Sequence, residues 1–319
     1  MPEDLASDVA TRWTAAMRAG DWEGAWRQTD RIELPRRVQQ ALPGFARGPQ
    51  HLVWDGSAPD DRVVMVRCLH GLGDTLQFMR FVPALEARAR LLHFLVQPSL
   101  LQLLHDAPGL GLVSNAWTDE PPAHEVEIEV MELAYVLRTT AQSLPPPYPA
   151  LADAVRERNG FVLPAEPHQL RVGLVWASSG WDRTRSIPLE ALAPLLAVPG
   201  VRFYDLQQET QARPAPAVAL WRHTADAASA AAAMLELDLV VTVDGMPAHL
   251  AATLGRPTWL LLKEDADWRW GELRPHTPWY PSMRLFRQRA GEGWTALVGE
   301  VADALREQVA AFQAAEERG

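Results

Sequence analysis

The 319-residue chain carries a formal net charge of -10, with 48% hydrophobic and 22% charged residues, a balance ordinary for a soluble globular protein. No apolar run approaches the roughly 18 residues that span a bilayer, and the acidic excess argues against a broad nucleic-acid partner, which needs clustered Lys and Arg. The single cysteine, Cys68, excludes an internal disulfide framework and every multi-cysteine zinc site; together with a start, MPEDLASDVATRW, that lacks a basic-then-apolar leader, this predicts a cytoplasmic protein.

Residues 4 to 33 read as two short helices around a turn at AGDWEGAW. Trp13, Ala16 and Met17 share one face, and Trp22, Ala25 and Trp26 the next, in the manner of one tetratricopeptide hairpin. The period is not repeated, so residues 1–50 are expected to form a hairpin and lead-in that cap the first domain or dock a protein partner. From residue 62 apolar runs alternate with helical patterns: strand 63–68, an amphipathic helix from Asp74 to Arg88, strand 91–96, a short helix in PSLLQLLHDAP, and strand 126–129. Strands apolar on both faces and alternating with helices imply a parallel sheet, here a first Rossmann-like domain over 51–150.

Prolines crowd SLPPPYPA and VLPAEPHQL, where neither a regular helix nor a central strand is expected, and a linker is placed at 151–170. The alternation restarts with strand 171–176, a helix near 188–196, strand 201–206, a helix near 225–236, strand 239–243, a helix near 247–254 and strand 257–262. This is a second Rossmann-like domain over 171–294, followed by a C-terminal segment, 295–319, whose helix places Leu297, Val301, Leu305, Val309 and Phe312 on one stripe. At 319 residues, two domains are also what chain length favours. The predicted fold is α/β, with two doubly wound domains facing a cleft and a short N-terminal helical hairpin.

Residues 67–81, RCLHGLGDTLQFMRF, place two glycines and an aspartate between a strand and a helix. A dinucleotide fingerprint would need a third glycine where Leu76 stands, and an acidic residue about 20 positions on; a Walker loop would need a Gly-Lys-Ser/Thr sequence. Neither is present. What remains is a turn at Gly71 and Gly73 that lets backbone approach a ligand at the C-terminal edge of a parallel sheet, with Asp74 either capping its helix or reaching a substrate. The second half supplies a companion in VTVDGMPAHLAATLGRPTWLLL, where Asp244 and Gly245 end a strand and His249 lies early in the next helix. A helix N-terminus offers N–H groups and a positive dipole end to a diphosphate, although His249 could equally be a packed core residue.

Four segments in order, GLGDTLQFMRFVPAL, WASSGWDRTRSIPLEAL, VDGMPAHLAATLGRPTWLLL and DWRWGELRPHTPWYPSMRLFRQ, resemble the bacterial glycosyltransferase family nine, the heptosyltransferase-like group, over roughly residues 52–310. Within it the similarity points to the branch found with tetratricopeptide repeats. The resemblance implies the two-domain glycosyltransferase B architecture, with the acceptor bound by the N-terminal domain and a nucleotide sugar by the C-terminal one. It implies that Asp74 is the general base and that Arg185 neutralises the leaving diphosphate. Asp244, Gly245, Met246 and His249 would line the donor. Gly71, Gly73, His70, Gln77 and Arg80 are the further acceptor-side candidates; Trp176, Glu209, Trp268 and Arg269 are the further donor-side ones, through stacking, ribose or phosphate contacts. Trp270 and Trp279 could stack as well, or two of the three tryptophans could close the core under the C-terminal helix. No metal or cofactor is expected, because basic residues and helix dipoles take the place of a divalent ion; Asp265 and Asp267 are read as a solvated turn.

This chain departs from the family pattern at three places. Leu69 and His70 replace a Glu-Gln pair, Gly245 stands where threonine is usual, and Pro247 removes an N–H from the first turn of the donor helix. The reading is therefore an inverting, metal-independent glycosyltransferase that moves a sugar such as heptose to a hydroxyl of a glycan or protein. Its alternative is a degenerate nucleotide-sugar or partner-binding module of the same fold. A peripheral membrane contact is compatible with either. A nucleotide-sugar epimerase lacks the expected carboxylate and histidine cluster.

Overall fold

The computed structural model describes residues 3–40, 54–148, 150–164, 167–178, 180, 182–208, 213–215, 217–272 and 274–317. These fall into two compact units, one comprising Met1–Tyr148 with Asp267–Trp279 and the other Pro149–Ala266 with Tyr280–Gly319. The segment 267–279, expected in the second domain, thus belongs to the first unit.

In the first unit, α1 (Glu3–Ala19) and α2 (Trp22–Gln40) form the hairpin, each longer than the sequence pattern suggested. Strands β1 (Val63–Arg67), β2 (Leu91–Val96), β3 (Leu112–Asn115) and β4 (Val126–Glu129) form a wholly parallel sheet in the order β3-β2-β1-β4. β3 is a strand the sequence reading did not identify: it is short, and its exposed or half-buried side chains leave no apolar run to detect. The helix expected from Asp74 to Arg88 is instead α3 (Leu72–Phe78), a 3₁₀ turn at Met79–Phe81, and α4 (Val82–Glu86). Pro83 explains the division, since it lacks an N–H and is tolerated only in the first turn of a new helix. Further helices are α5 (Pro98–Leu104) and α6 (Leu133–Val136).

The segment 267–279 is tied to the hairpin by tryptophans. Trp13 meets Trp268 edge-on at 4.8 Å between ring centroids, and Trp22 lies 4.8 Å from Trp279, whose other side faces Phe78 of α3 at 5.4 Å. These tryptophans therefore close the first unit under the hairpin rather than the second under the C-terminal helix, and Trp268 has a packing partner where a stacked donor base was expected. Indole rings suit this role because each buries a large apolar area and gains further from edge-to-face geometry.

The second unit begins with α7 (Ala150–Arg158), a helix inside the region expected to be linker; the prolines flank it rather than interrupt it. Strands β5 (Leu170–Val175), β6 (Val201–Asp205), β7 (Leu239–Val243), β8 (Thr258–Leu262) and β10 (Tyr280–Arg287) run parallel in the order β6-β5-β7-β8-β10, the label β9 being given to the two-residue strand His276–Thr277 of the first unit. β10 was not identified from sequence. Helices α8 (Ala193–Leu196), α9 (Ala227–Leu235), α10 (Met246–Thr253) and α11 (Trp294–Glu316) complete the unit. Leu297, Val301, Leu305 and Val309 of α11 lie in one core with Leu170, Val172, Phe203 and Val241, and Phe312 packs at its edge, as the stripe required.

Trp279 is 2% exposed. Trp279→Ala should lower unfolding free energy by about 3–5 kcal/mol, read by denaturant titration with the hairpin's tryptophan fluorescence as the signal; a change below about 1 kcal/mol would show that the aromatic cluster does not hold the segment.

Candidate functional site

In both sheets the order of strands reverses about the first strand: β2 and β3 lie to one side of β1 and β4 to the other, and β6 lies to one side of β5 with β7 on the other. The loops leaving β1 and β4, and those leaving β5 and β7, diverge from adjacent C-terminal ends, which is where open α/β sheets bind ligands. The sequence candidates cluster at these two places.

In the first unit, Asp74 is the third residue of α3 rather than its cap; Gly71 is the cap residue. Asp74 Oδ2 accepts a hydrogen bond from the Gly71 N–H at 2.9 Å, and Oδ1 pairs with the Arg269 guanidinium. Arg269 also donates to Gln77 Oε1 at 2.8 Å and to Asp267 Oδ1 at 2.9 Å, and its side chain is 10% exposed. Asp267 in turn caps the 3₁₀ turn Trp268–Trp270 by accepting from the Arg269 N–H at 3.0 Å. The acidic turn at 265–267, expected to be solvated, is thus partly an internal ion pair, through Asp267 and Arg269. Arg269, expected to fork onto donor phosphate, instead spans two carboxylates within the first unit.

Gln77 is fully buried, and Arg80, 4% exposed, donates to the carbonyls of Gln77 and Pro145 while lying over the Trp279 ring at 5.7 Å. Both support the turn from beneath rather than offering a group to substrate. Gly73 lies inside α3, and a Cβ added to Gly71 would come to 3.0 Å of Asp74 Oδ2, so glycine there permits the close carboxylate contact.

His70 is more accessible, its side chain 57% exposed, and Nδ1 lies 3.1 Å from Glu129 Oε1 at the end of β4. The Glu129 carboxylate, together with Asp74 and Glu132, raises the histidine's pKa above its ordinary value. The His70 carbonyl accepts from Gln97 Nε2 at 2.8 Å, and Gln97 Oε1 accepts from Thr75, so the loop is anchored on backbone and side chain alike. Cys68, just before it, is wholly buried, and burial raises its thiol pKa far above normal. Glu132, in the 3₁₀ turn after β4, is pushed up to about 7 by desolvation and by the nearby Glu33 and Glu129 carboxylates.

In the second unit, Arg185 lies in a 3₁₀ turn capped by Asp182, Asp244 directly follows β7, and Lys263 directly follows β8. Arg185 Nη1 lies 3.3 Å from Asp244 Oδ2 and Arg185 Nε 3.2 Å from Asp182 Oδ2, to which Lys263 Nζ also pairs at 2.8 Å. Lys263 and then Thr184 hold the Asp182 carboxyl far below the usual carboxylate range. Lys263 was missed in the sequence; a lone lysine one residue past an apolar strand in a parallel sheet was the signal available. His249 is buried, its Nδ1 3.0 Å from the Tyr280 hydroxyl, and Met246 opens α10 with Pro247 in its first turn. Gly245 has extended backbone (φ 173°), and a Cβ there would meet only Pro247 at 3.7 Å. Trp176, expected at the donor, is 3% exposed within the core beside Leu174 and Ile187; its position at a strand end does not turn the ring outward. Glu209 lies outside the described residues. Among the described residues, no group of three or more His, Cys, Asp or Glu is placed to hold a metal ion, and no helix is long and apolar enough to cross a membrane.

No family model matches the chain. A curated relative, Protein FlbA of Caulobacter vibrioides, is 24% identical over an alignment of 354 positions that covers 96% of this chain and 56% of the relative, so the chain spans about half that protein's length. Among solved structures, the glycosyl transferase family 9 protein of Veillonella parvula is similar with a TM-score of 0.54 at 12% identity, over 80% of this chain and 99% of that one. The E. coli ADP-heptose LPS heptosyltransferase II follows at 0.52 and 15%, over 80% and 99%. E. coli heptosyltransferase WaaC with ADP gives 0.50 and 16%, over 77% and 99%. The fold is therefore the two-Rossmann, glycosyltransferase B type of these heptosyltransferases.

Two stability measurements check the local geometry. Because Glu132 binds its proton more tightly when folded, stability should fall as pH rises from about 4.5 to 7; Glu132→Gln should remove that slope and add about 1–3 kcal/mol at pH 8, while changing little below pH 4. Gly245→Thr should fold with a melting temperature within a degree or two of wild type, since the backbone there is extended and an added Cβ makes only an ordinary contact with Pro247; a large loss would mean that the turn requires glycine.

Proposed function

We propose that this chain is a cytoplasmic, inverting glycosyltransferase that transfers a sugar from a nucleoside diphosphate donor held by the second unit to a hydroxyl acceptor held by the first. One observation carries the reading: Arg185 and Lys263 are gathered by Asp182 and Asp244 at the C-terminal edge of β5, β7 and β8, beside the N-terminus of α10. Two cations and a helix dipole end are what a departing diphosphate needs, since its negative charge grows as the glycosidic bond breaks. The similar WaaC structures contain ADP and an ADP-heptose analogue, which supports an ADP-heptose-type donor here. The acceptor is a glycan or protein hydroxyl.

The donor contacts are assigned to Asp244, Gly245, Met246 and His249, with Asp244 orienting Arg185 and His249 fixed by Tyr280. Arg185 and Lys263 supply the neutralisation that a divalent ion supplies in metal-dependent transferases. The Arg269 pair on Asp74 favours a second reading, a module that binds a nucleotide sugar without turning it over, because the expected base is already engaged.

Thermal-shift and calorimetric titration against ADP, GDP, UDP, CMP, dTDP and their sugar conjugates tests the proposal. One diphosphate should bind, with or without EDTA, and Arg185→Ala or Lys263→Ala should each weaken it about 10- to 100-fold, the worth of a charge-assisted contact. Unchanged affinity in both variants would remove the donor site from this edge. Release of nucleotide from the bound donor, unaffected by EDTA, separates the transferase from the binding module.

A further inference from the structure

Arg269 is pinned from four directions by groups of the first unit. Its Nε donates to Gln77 Oε1 at 2.8 Å, one terminal nitrogen donates to Asp267 Oδ1 at 2.9 Å, and the other pairs with Asp74 Oδ1. The Trp268 ring centroid lies 4.5 Å from the guanidinium carbon. The three acceptors fix the guanidinium within its own plane, and the indole face fixes it along the normal to that plane.

Each of those supports is itself held. Gln77 is fully buried in α3, Asp267 also accepts from the Arg269 N–H at 3.0 Å, and Trp268 meets Trp13 of α1 edge-on at 4.8 Å. What this frame presents to Asp74 is a donor with a fixed direction. Asp74 Oδ2 accepts from the Gly71 N–H at 2.9 Å, so each carboxylate oxygen has a partner and the group cannot turn without breaking both contacts. A carboxylate offers about four lone-pair sites, and these two contacts leave the others for a substrate on a side chain that is 23% exposed.

We propose that Arg269 is a positioning residue for Asp74: braced by the N-terminal hairpin through Trp268 and Trp13, it fixes the direction in which the carboxylate meets an acceptor hydroxyl. The proposal rests on the glycosyltransferase reading above, with Asp74 as its base. The ion pair then has a role other than occupying the base, because holding one lone pair on each oxygen orients the rest. Such geometry has a large effect on rate, since a displacement of about 1 Å can cost about 10²-fold. Lysine does not substitute for this arginine: an ammonium has no planar fork with which to meet Asp74, Asp267 and Gln77 together. The hairpin is in this way part of the acceptor-side machinery of the first unit and not only a cap on it.

The test uses the full chain, with water as acceptor. Initial rates of nucleoside diphosphate release are measured at saturating ADP-heptose and ADP-, GDP-, UDP- and dTDP-hexoses, with donor affinity and melting temperature for every variant. Asp74→Asn sets the floor. Arg269→Ala should lower kcat by about 10²-fold while donor affinity stays within about threefold of wild type. Because the Arg269 side chain is only 10% exposed, its removal leaves a guanidinium-shaped seat, and millimolar guanidinium should restore part of the rate in Arg269→Ala but none in Asp74→Asn. Arg269→Lys, which keeps a charge between the two carboxylates, should melt near wild type yet stay slower by about tenfold or more. Trp268→Leu should lower kcat by about 3- to 30-fold, the worth of the cation–π contact, and Trp13→Leu should lower it in the same direction. A wild-type rate in Arg269→Lys, a loss of donor affinity that parallels the loss of rate in Arg269→Ala, no guanidinium rescue in folded Arg269→Ala, or a full rate in Asp74→Asn would each overturn the positioning role and leave the transferase reading standing. A full rate in Trp13→Leu would overturn the bracing by the hairpin. Absence of diphosphate release from every donor by wild type would overturn the positioning role and the transferase reading together.

Discussion

Strand order in a parallel sheet is the constraint from which the rest of this protein follows. Where the chain reverses direction about β1 and again about β5, adjacent strands send their following loops to opposite faces, and a crevice opens at the C-terminal edge. The backbone and side-chain polar groups lining such an edge need partners, and the sequence meets the need with ions. Around β1 and β4 these are Asp74, Arg269, His70 and Glu129; around β5, β7 and β8 they are Asp182, Arg185, Asp244 and Lys263. Around β5, β7 and β8 the two carboxylates and two cations balance one another, so this edge does not share the chain's net charge of -10.

The hairpin acquires a physical role in this scheme. Trp13 and Trp22 pack on Trp268 and Trp279, the segment between those two tryptophans carries Arg269, and Arg269 reaches Asp74 and Gln77. The helices at the start of the chain therefore brace a residue more than 200 positions away that shapes the turn after β1. A docking function for the hairpin would have to use its outer face, since its aromatic face is already occupied.

Much of the fold was legible because burial on both faces of a strand leaves an unmistakable apolar run. β1, β2, β5, β7 and β8 were read in place for that reason, as was the apolar stripe of α11. β3 carried no such run, and β10 alternates polar and apolar residues after a proline-rich stretch that reads as loop. Within the candidate sites, His70 and Asp74 were read from the turn after β1, and Asp244 and His249 from the turn and helix after β7, whereas Arg185 came only from the family resemblance. Lys263 was not legible, because a single lysine after a strand looks like any solvated charge until Asp182 is found beside it. Trp176 failed in the opposite direction, since position at a strand end does not say which way a ring turns.

The sequence by itself determined the two alternating α/β halves, the hairpin, and which loops carry the polar residues, because these depend on local periodicity and turn chemistry. Only the tertiary structure decided who pairs with whom: that Arg269 belongs to Asp74 rather than to a phosphate, that the 267–279 tryptophans belong to the hairpin, and that His70 has a carboxylate behind it. Those pairings join residues from 59 to 257 positions apart, as Glu129 is from His70 and Trp279 from Trp22. No periodicity spans such separations; they are set by which strands lie side by side and by the free energy of leaving a buried charge without a partner.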